Sequence, residues 1–379
     1  MSSVRRFLAM RVLSAILLVF SITAASVCAA EPIVIGAYLP MTGNVAAYGQ
    51  MGWEGVLLAK KMEPEVLGRP VELRLADTKS DKVEAANAVS RLIEKDKAIA
   101  IIGEMISGNT IAGSDFAERR KIPMVSPTAT NPIVTQNKKF IFRVCFIDTD
   151  QGRVAAKLAL SQLRAKTAAL IYDISQDYSV TLADVFKKEF IEGGGKIVSD
   201  TKFKSGDRDF TPQLSRIEAT KPDVIYAPIY YTECALMAKQ ASEMGVKAII
   251  LAGDGVQAPE LTQLGGKAVE GLYFTAHFHK DMVNNERGKK YMELYEKEFH
   301  KGLDAFTAMG ADAYFIVLDA VQRAGSADPV KIREALASTK DFEGVSGKIT
   351  MKPDGNAIKA MVVNKVQNGK FVYVTTINP

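Results

Sequence analysis

The sequence predicts an α/β protein made of two doubly wound lobes. Three features carry that reading. Short β-branched runs alternate with helix-periodic stretches from Ile33 onward, and such alternation builds parallel sheets covered by helices on both faces. The 379-residue chain holds more than eight strand-like runs, too many for one compact unit. The tail then changes pattern: Gly347–Thr350, Ala360–Val366 and Phe371–Thr375 read as strands joined by Pro353-Asp354-Gly355 and Asn368-Gly369, two strong turn signals.

Taken in order, strands are expected at 33–38, 71–76, 98–102, 122–126, 167–172, 196–203, 223–229, 248–252 and 271–275. Helices are expected at about 46–62, 81–95, 109–120, 151–164, 179–192, 209–219, 232–244, 284–299 and 307–324. The stretch 151–164 shows the signals used: Asp150 caps it, and Val154, Leu158 and Leu163 give it an apolar face. Gly193-Gly194-Gly195 stops the next helix, because glycine accepts left-handed C-cap geometry. No strand leads into those glycines, so they are not a phosphate loop. The lobes divide near Cys145–Asp150, where the extended run FIFRVCFID meets a new helix. The tail strands need a sheet edge, so the chain crosses back before its end. The expected division is 31–147 plus about 278–350 for the first lobe, and 148–277 plus about 351–379 for the second.

The first thirty residues read as a removable leader. Arg5, Arg6 and Arg11 precede an uncharged run from Val12 to Ala25, and Ser26, Ala29 and Ala30 follow it. This is the order of a secretory signal peptide with cleavage after Ala30, which places the mature chain in the periplasm. Acylation at Cys28 is a weaker option, since Val27 stands where that processing wants a small residue. Loss of the leader lowers the net charge from +5 to +2. With no basic block interleaved with aromatics, the sequence excludes nucleic acid as a partner. Cys145 and Cys234 remain, either as one disulfide or as two buried thiols.

Ligands of open α/β sheets sit beyond the carboxyl ends of strands. The segments after five expected strands carry Ser107, then Thr128 and Thr130, then Tyr178, then Tyr230, then Asp254 between Gly253 and Gly255. Hydroxyls beside a helix N-terminus suit a carboxylate. A buried aspartate needs a cation, which an ammonium group supplies. Tyr48, Tyr178 and Tyr230 can wall an apolar space. Each residue also has a plainer reading: an N-cap for Ser107, an Asx-turn for Asp254, core packing for the tyrosines. No catalytic constellation stands against this. The chain has only His277, His279 and His300; the first two form a possible metal pair with no third ligand, and surface histidines are the expected outcome. No nucleophile elbow, Walker loop or dinucleotide fingerprint occurs. The expectation is no enzyme, no metal and no cofactor.

The residues Ile33-Val34-Ile35-Gly36, Leu39-Pro40-Met41-Thr42-Gly43, Ala47-Tyr48-Gly49, Ile122-Pro123-Met124-Val125-Ser126-Pro127, Ala129-Thr130-Asn131-Pro132, Arg143, Asp209-Phe210 and Gly253-Asp254-Gly255 run across nearly the whole mature chain. Together they resemble periplasmic substrate-binding proteins of the branched-chain amino acid type from ABC importers. The resemblance implies the type I periplasmic binding protein fold, with three crossings forming a hinge. It implies a monomer that takes an amino acid, apolar or aromatic in its side chain, and passes it to ABC permease subunits. It assigns the ligand carboxylate to Ser107, Thr130 and backbone at Thr128, the ammonium to Asp254, and the pocket wall to Tyr48, Tyr178 and Tyr230. The same fold also takes urea, amides and other carboxylates. Aspartate at 254 stands where the leucine-type relative has glutamate, and Glu104-Met105-Ile106 are bulkier than the usual run beside Ser107.

Overall fold

Two sheets organise the computed structural model, which describes residues 31–377; the expected leader and Cys28 lie outside the described residues. The first sheet comprises β1 (Ile33–Leu39), β2 (Glu65–Val66), β3 (Arg69–Asp77), β4 (Ala100–Gly103), β5 (Met124–Ser126) and β6 (Ile141–Arg143) in the order β2-β3-β1-β4-β5-β6. All its pairings are parallel except the short β2–β3 hairpin at the edge. Helices α1 (Ala46–Met62), α2 (Lys82–Glu94) and α3 (Ser107–Arg120) make its crossovers.

The second sheet begins after α4 (Asp148–Lys157) with β7 (Thr167–Asp173), β8 (Lys196–Phe203), β9 (Val224–Ala227), β10 (Ile249–Ala252) and β11 (Tyr273–Ala276). Helices α5 (Asp177–Glu192), α6 (Thr211–Thr220), α7 (Tyr231–Glu243) and α8 (Pro259–Gly265) connect these strands. The chain then returns to the first lobe as α9 (Glu286–Phe299), α10 (Ala305–Ala324) and α11 (Pro329–Ala337), followed by a small sheet of β12 (Phe342–Gly344), β13 (Gly347–Met351) and β14 (Ala357–Ile358). Finally β15 (Met361–Gln367) and β16 (Lys370–Ile377) complete the second sheet in the order β16-β15-β11-β10-β9-β7-β8. β15 joins β11 antiparallel, which gives the tail strands the edge they need. Ile358 still pairs with Thr350, so the chain stays beside the first lobe for longer than the sequence suggested and passes over between Ile358 and Met361.

Burial explains why α10 sits where it does. It is buried on nearly every face and packs on α1, and glycines make the approach close. A Cβ on Gly310 would lie 2.4 Å from the carbonyl oxygen of Gly52. The chain passes between lobes three times, after β6, after β11 and after β14. Cys145, in the first of these segments, and Cys234, in α7, are both free buried thiols. Burial pushes each thiol up to about 12.

Candidate functional site

One wall of the site comes from the ends of β4 and β5. Glu104 follows β4, and its carboxylate folds into the first lobe. It accepts hydrogen bonds from Thr78 Oγ1 (2.6 Å), Asn109 Nδ2 (3.0 Å) and the Ile106 backbone N–H (2.7 Å). Burial pushes its pKa up to about 7. The bulk expected beside Ser107 is thus turned inward at Glu104 and braces the start of α3. Ser107 is the first residue of that helix, not its N-cap; Ile106 is the N-cap, and no side chain caps this end. The first N–H groups of a helix have no intrahelical partner, and the helix dipole favours an anion there. Ser107 Oγ accepts from the Asn131 N–H at 3.2 Å, and Thr128 Oγ1 donates to the Met105 carbonyl at 2.7 Å. Thr130 Oγ1 is buried, makes no well-aligned hydrogen bond, and lies beside the Asp148 carboxylate.

Arg143, at the end of β6, holds this wall from behind. It is fully buried, and it donates from Nη1 to the Ala129 carbonyl (2.7 Å) and from Nη2 to the Asn131 carbonyl (2.8 Å). The fork spans the residue between them, Thr130. Replacing Arg143 with Leu is expected to lower unfolding free energy by about 2–4 kcal/mol, because two buried carbonyls lose their donors. Lys should restore only part of this, since an ammonium lacks the planar fork. Denaturant melts of the three proteins check it.

The opposite wall belongs to the second lobe. After β10 the chain makes a short 3₁₀ turn, Asp254–Val256. Asp254 Oδ1 accepts from Gln151 Nε2 at 2.7 Å and from the Tyr178 hydroxyl at 3.1 Å; its Oδ2 lies 2.9 Å from His277 Nε2. The Tyr178 oxygen also accepts the Gly255 N–H at 3.1 Å. The flanking glycines make room for the aromatic wall: a Cβ on Gly253 would meet the Tyr178 hydroxyl at 2.3 Å, and one on Gly255 would meet Tyr230 at 2.9 Å. Asp148, in the first turn of α4, is fully buried with neither carboxylate oxygen partnered. Burial and then the nearby Asp254 charge push its pKa well above the usual carboxylate range, against a smaller lowering pull from the Thr130 side chain and Arg143.

Aromatic rings join the two walls. Tyr178 stacks on Tyr230 with centroids 5.3 Å apart, Tyr48 meets Tyr230 edge-on at 5.8 Å, and Tyr48 lies flat on Phe306 at 4.2 Å. The Tyr48 hydroxyl, from the first lobe, donates to the Gly255 carbonyl in the second. Asn131 Nδ2 reaches the Asp177 carbonyl and Thr181 Oγ1, both at 2.9 Å, and Lys82 pairs with Asp177 at 2.8 Å. The lobes are therefore closed on one another. The Lys82 pair is solvent-exposed and adds little to that closure.

The seven residues singled out from sequence come together at this junction. Ser107, Thr128, Thr130 and Tyr48 lie on one side, and Tyr178, Tyr230 and Asp254 on the other. All are buried except Tyr230, which is half-buried while its hydroxyl is enclosed and unpartnered. Sequence reading missed Gln151, Asp148 and Phe306, and it used Arg143 only as a motif. It also misplaced the histidines. β11 ends at Ala276, so His277 does not sit with His279 on a strand face. His277 is fully buried on Asp254, and His279 is mostly buried and caps the next turn by accepting from Asp281 N–H. Asp150 is likewise not the cap of α4, which begins at Asp148 behind Ile147. Among the described residues, no group of three or more His, Cys, Asp or Glu is placed to hold a metal ion.

Known proteins agree with this architecture. A family model described as periplasmic binding protein matches residues 32–370. A leucine-binding protein of Thermotoga maritima superposes with a TM-score of 0.90 at 48% identity, covering 92% of this chain and 99% of its own. The substrate-binding protein of a branched-chain amino acid transporter from Streptococcus pneumoniae, solved with isoleucine, gives 0.87 at 29% identity, covering 92% and 100%. A Leu/Ile/Val-binding protein of Rhizobium johnstonii is 30% identical over 346 residues, 90% of this chain and 93% of the relative.

Proposed function

The chain belongs to the periplasmic binding protein family, and from that premise we propose that it captures a free branched-chain amino acid between its lobes and delivers it to an ABC importer. It is a solute-binding protein and not an enzyme. One observation carries the amino acid reading. A wall suited to a carboxylate faces a buried acid across a closed aromatic junction, and an α-amino acid presents both complementary charges on one carbon.

The ligand carboxylate takes the uncapped start of α3, the Ser107 hydroxyl, the buried Thr130 hydroxyl and backbone at Thr128, with Arg143 behind. The ammonium takes Asp254, and the side chain lies among Tyr48, Tyr178, Tyr230 and Phe306. The moving units are the two lobes, hinged at the three passages between sheets. A ligand that touches both lobes favours the closed state by its differential affinity. Export by a leader cleaved after Ala30 completes the reading and brings the receptor to its permease.

Ligand analogues test it. An amino acid such as leucine or isoleucine, at one hundred times its dissociation constant, is expected to add about 2.7 kcal/mol to stability. The matching deaminated acid and decarboxylated amine should each add far less. Thermal melts with the three compounds measure this. Equal shifts from the amino acid and its deaminated analogue would instead mark a receptor for another small carboxylate, urea or amide.

A further inference from the structure

His277 lies where the chain leaves β11 for the first lobe, one residue past Ala276. Its ring is fully buried, with Nε2 2.9 Å from Asp254 Oδ2. In the role given to Asp254 above, acceptor for a ligand ammonium, the imidazole is the donor of this contact through Nε2–H. The face of the ring packs on Phe146 at a centroid distance of 4.2 Å. Phe146 belongs to the passage after β6, so His277, in the passage after β11, packs one link between the lobes against another.

The carboxylate of Asp254 is held from both of its oxygens, and this contact is the hold on the second. Gln151 and Tyr178 both bind Oδ1, and among the described hydrogen bonds only His277 holds Oδ2. Rotation about the last aspartate torsion is soft, with broad wells. Both oxygens turn together about that bond, so the two donors on Oδ1 oppose the rotation from one side only. A third donor on the second oxygen stiffens the same rotation from the other side and narrows the direction of the remaining lone pairs. We propose that His277 is a positioning residue: it fixes the plane of Asp254 toward a ligand ammonium, and so favours α-amino acids over the same acids without the amine. This deepens the amino acid reading above and rests on it.

Two substitutions separate positioning from packing. His277→Leu fills space but donates nothing; His277→Gln keeps an N–H donor. Titration calorimetry with leucine and its deaminated acid is run on wild type and both variants, alongside melts of the apo proteins. His277→Leu is expected to bind leucine about ten- to hundredfold more weakly, the scale of one charge-assisted hydrogen bond. Its affinity for the deaminated acid should stay within about threefold, since that ligand makes no use of Asp254's orientation. His277→Gln should recover most of the leucine affinity. Unchanged leucine affinity in His277→Leu, equal losses for both ligands, or no recovery in His277→Gln would each overturn the positioning role. Wild type that binds no amino acid would instead remove the underlying reading, and this role with it.

Discussion

Replacing Asp254 with Ala is expected to abolish amino acid binding at ordinary ligand concentrations while leaving the apo protein folded. Removing one partner of a buried charge pair costs on the order of 3–5 kcal/mol, because the other charge is left desolvated and alone. That corresponds to roughly two to three and a half decades in dissociation constant. The apo protein should respond differently. Without ligand, Asp254 is a buried carboxylate held by Gln151, Tyr178 and His277 and placed near a second buried acid, Asp148. Its removal strands three donors but also relieves the repulsion that helps push Asp148 upward. These effects oppose, so apo stability should change by no more than about 2 kcal/mol. Asp254→Asn refines the point: it keeps the size and one acceptor, loses the charge, and should lose nearly as much affinity. Calorimetry with leucine and melts of each apo protein decide it. Near-wild-type affinity in Asp254→Ala would make the aspartate a turn residue only.

The strand ends were legible because open α/β sheets put ligands there whatever the chemistry. Ser107, Thr130 and Asp254 follow β4, β5 and β10, so locating the strands located residues that meet where the lobes join. The supporting residues were not legible, and the reason is distance along the chain. Gln151 sits in the first turn of α4 and reaches Asp254 across 103 positions. Nothing local distinguishes it from any polar helix residue. His277 carried a misleading local signal, since its spacing from His279 imitates a metal pair until the strand is seen to stop at Ala276. Glu104 looked like bulk in the cleft because its rotation toward Thr78 depends on a hydroxyl 26 positions earlier. Among the elements, β2, α8, α11, β12 and β14 went unread. The strands among them have only two or three residues and show no periodicity. Helix α11 did carry a start signal, Asp328 followed by Pro329, and Asp328 does accept from the Val330 and Lys331 N–H groups.

Gly253 tests whether the aromatic wall and the acid act as one unit. Glycine is not required there by backbone torsion, since its φ is −91°. It is required by space: an added Cβ would stand 2.3 Å from the Tyr178 hydroxyl, 3.1 Å from Gln151 Nε2 and 3.2 Å from Leu182 Cδ1. The first contact is too short to survive, so Gly253→Ala must push the phenol away. That breaks its bonds to Asp254 Oδ1 and from the Gly255 N–H, and it disturbs the stack on Tyr230. Leucine affinity is expected to fall by about ten- to hundredfold, the scale of losing a hydrogen bond to a charged group together with packing. Tyr178→Phe alone should cost less, because the ring stays in place. The informative protein is the double variant. Once the hydroxyl is gone, the alanine methyl has lost its closest obstacle, so Gly253→Ala in the Tyr178→Phe background should cost little more than Tyr178→Phe by itself. The two changes are then strongly non-additive, with a coupling of about 1.5–2.5 kcal/mol, close to the whole Gly253→Ala loss. Calorimetry on the four proteins of the cycle measures it. Additive losses would mean that the methyl acts on the turn backbone and not through Tyr178, and would separate the glycine's role from the tyrosine wall.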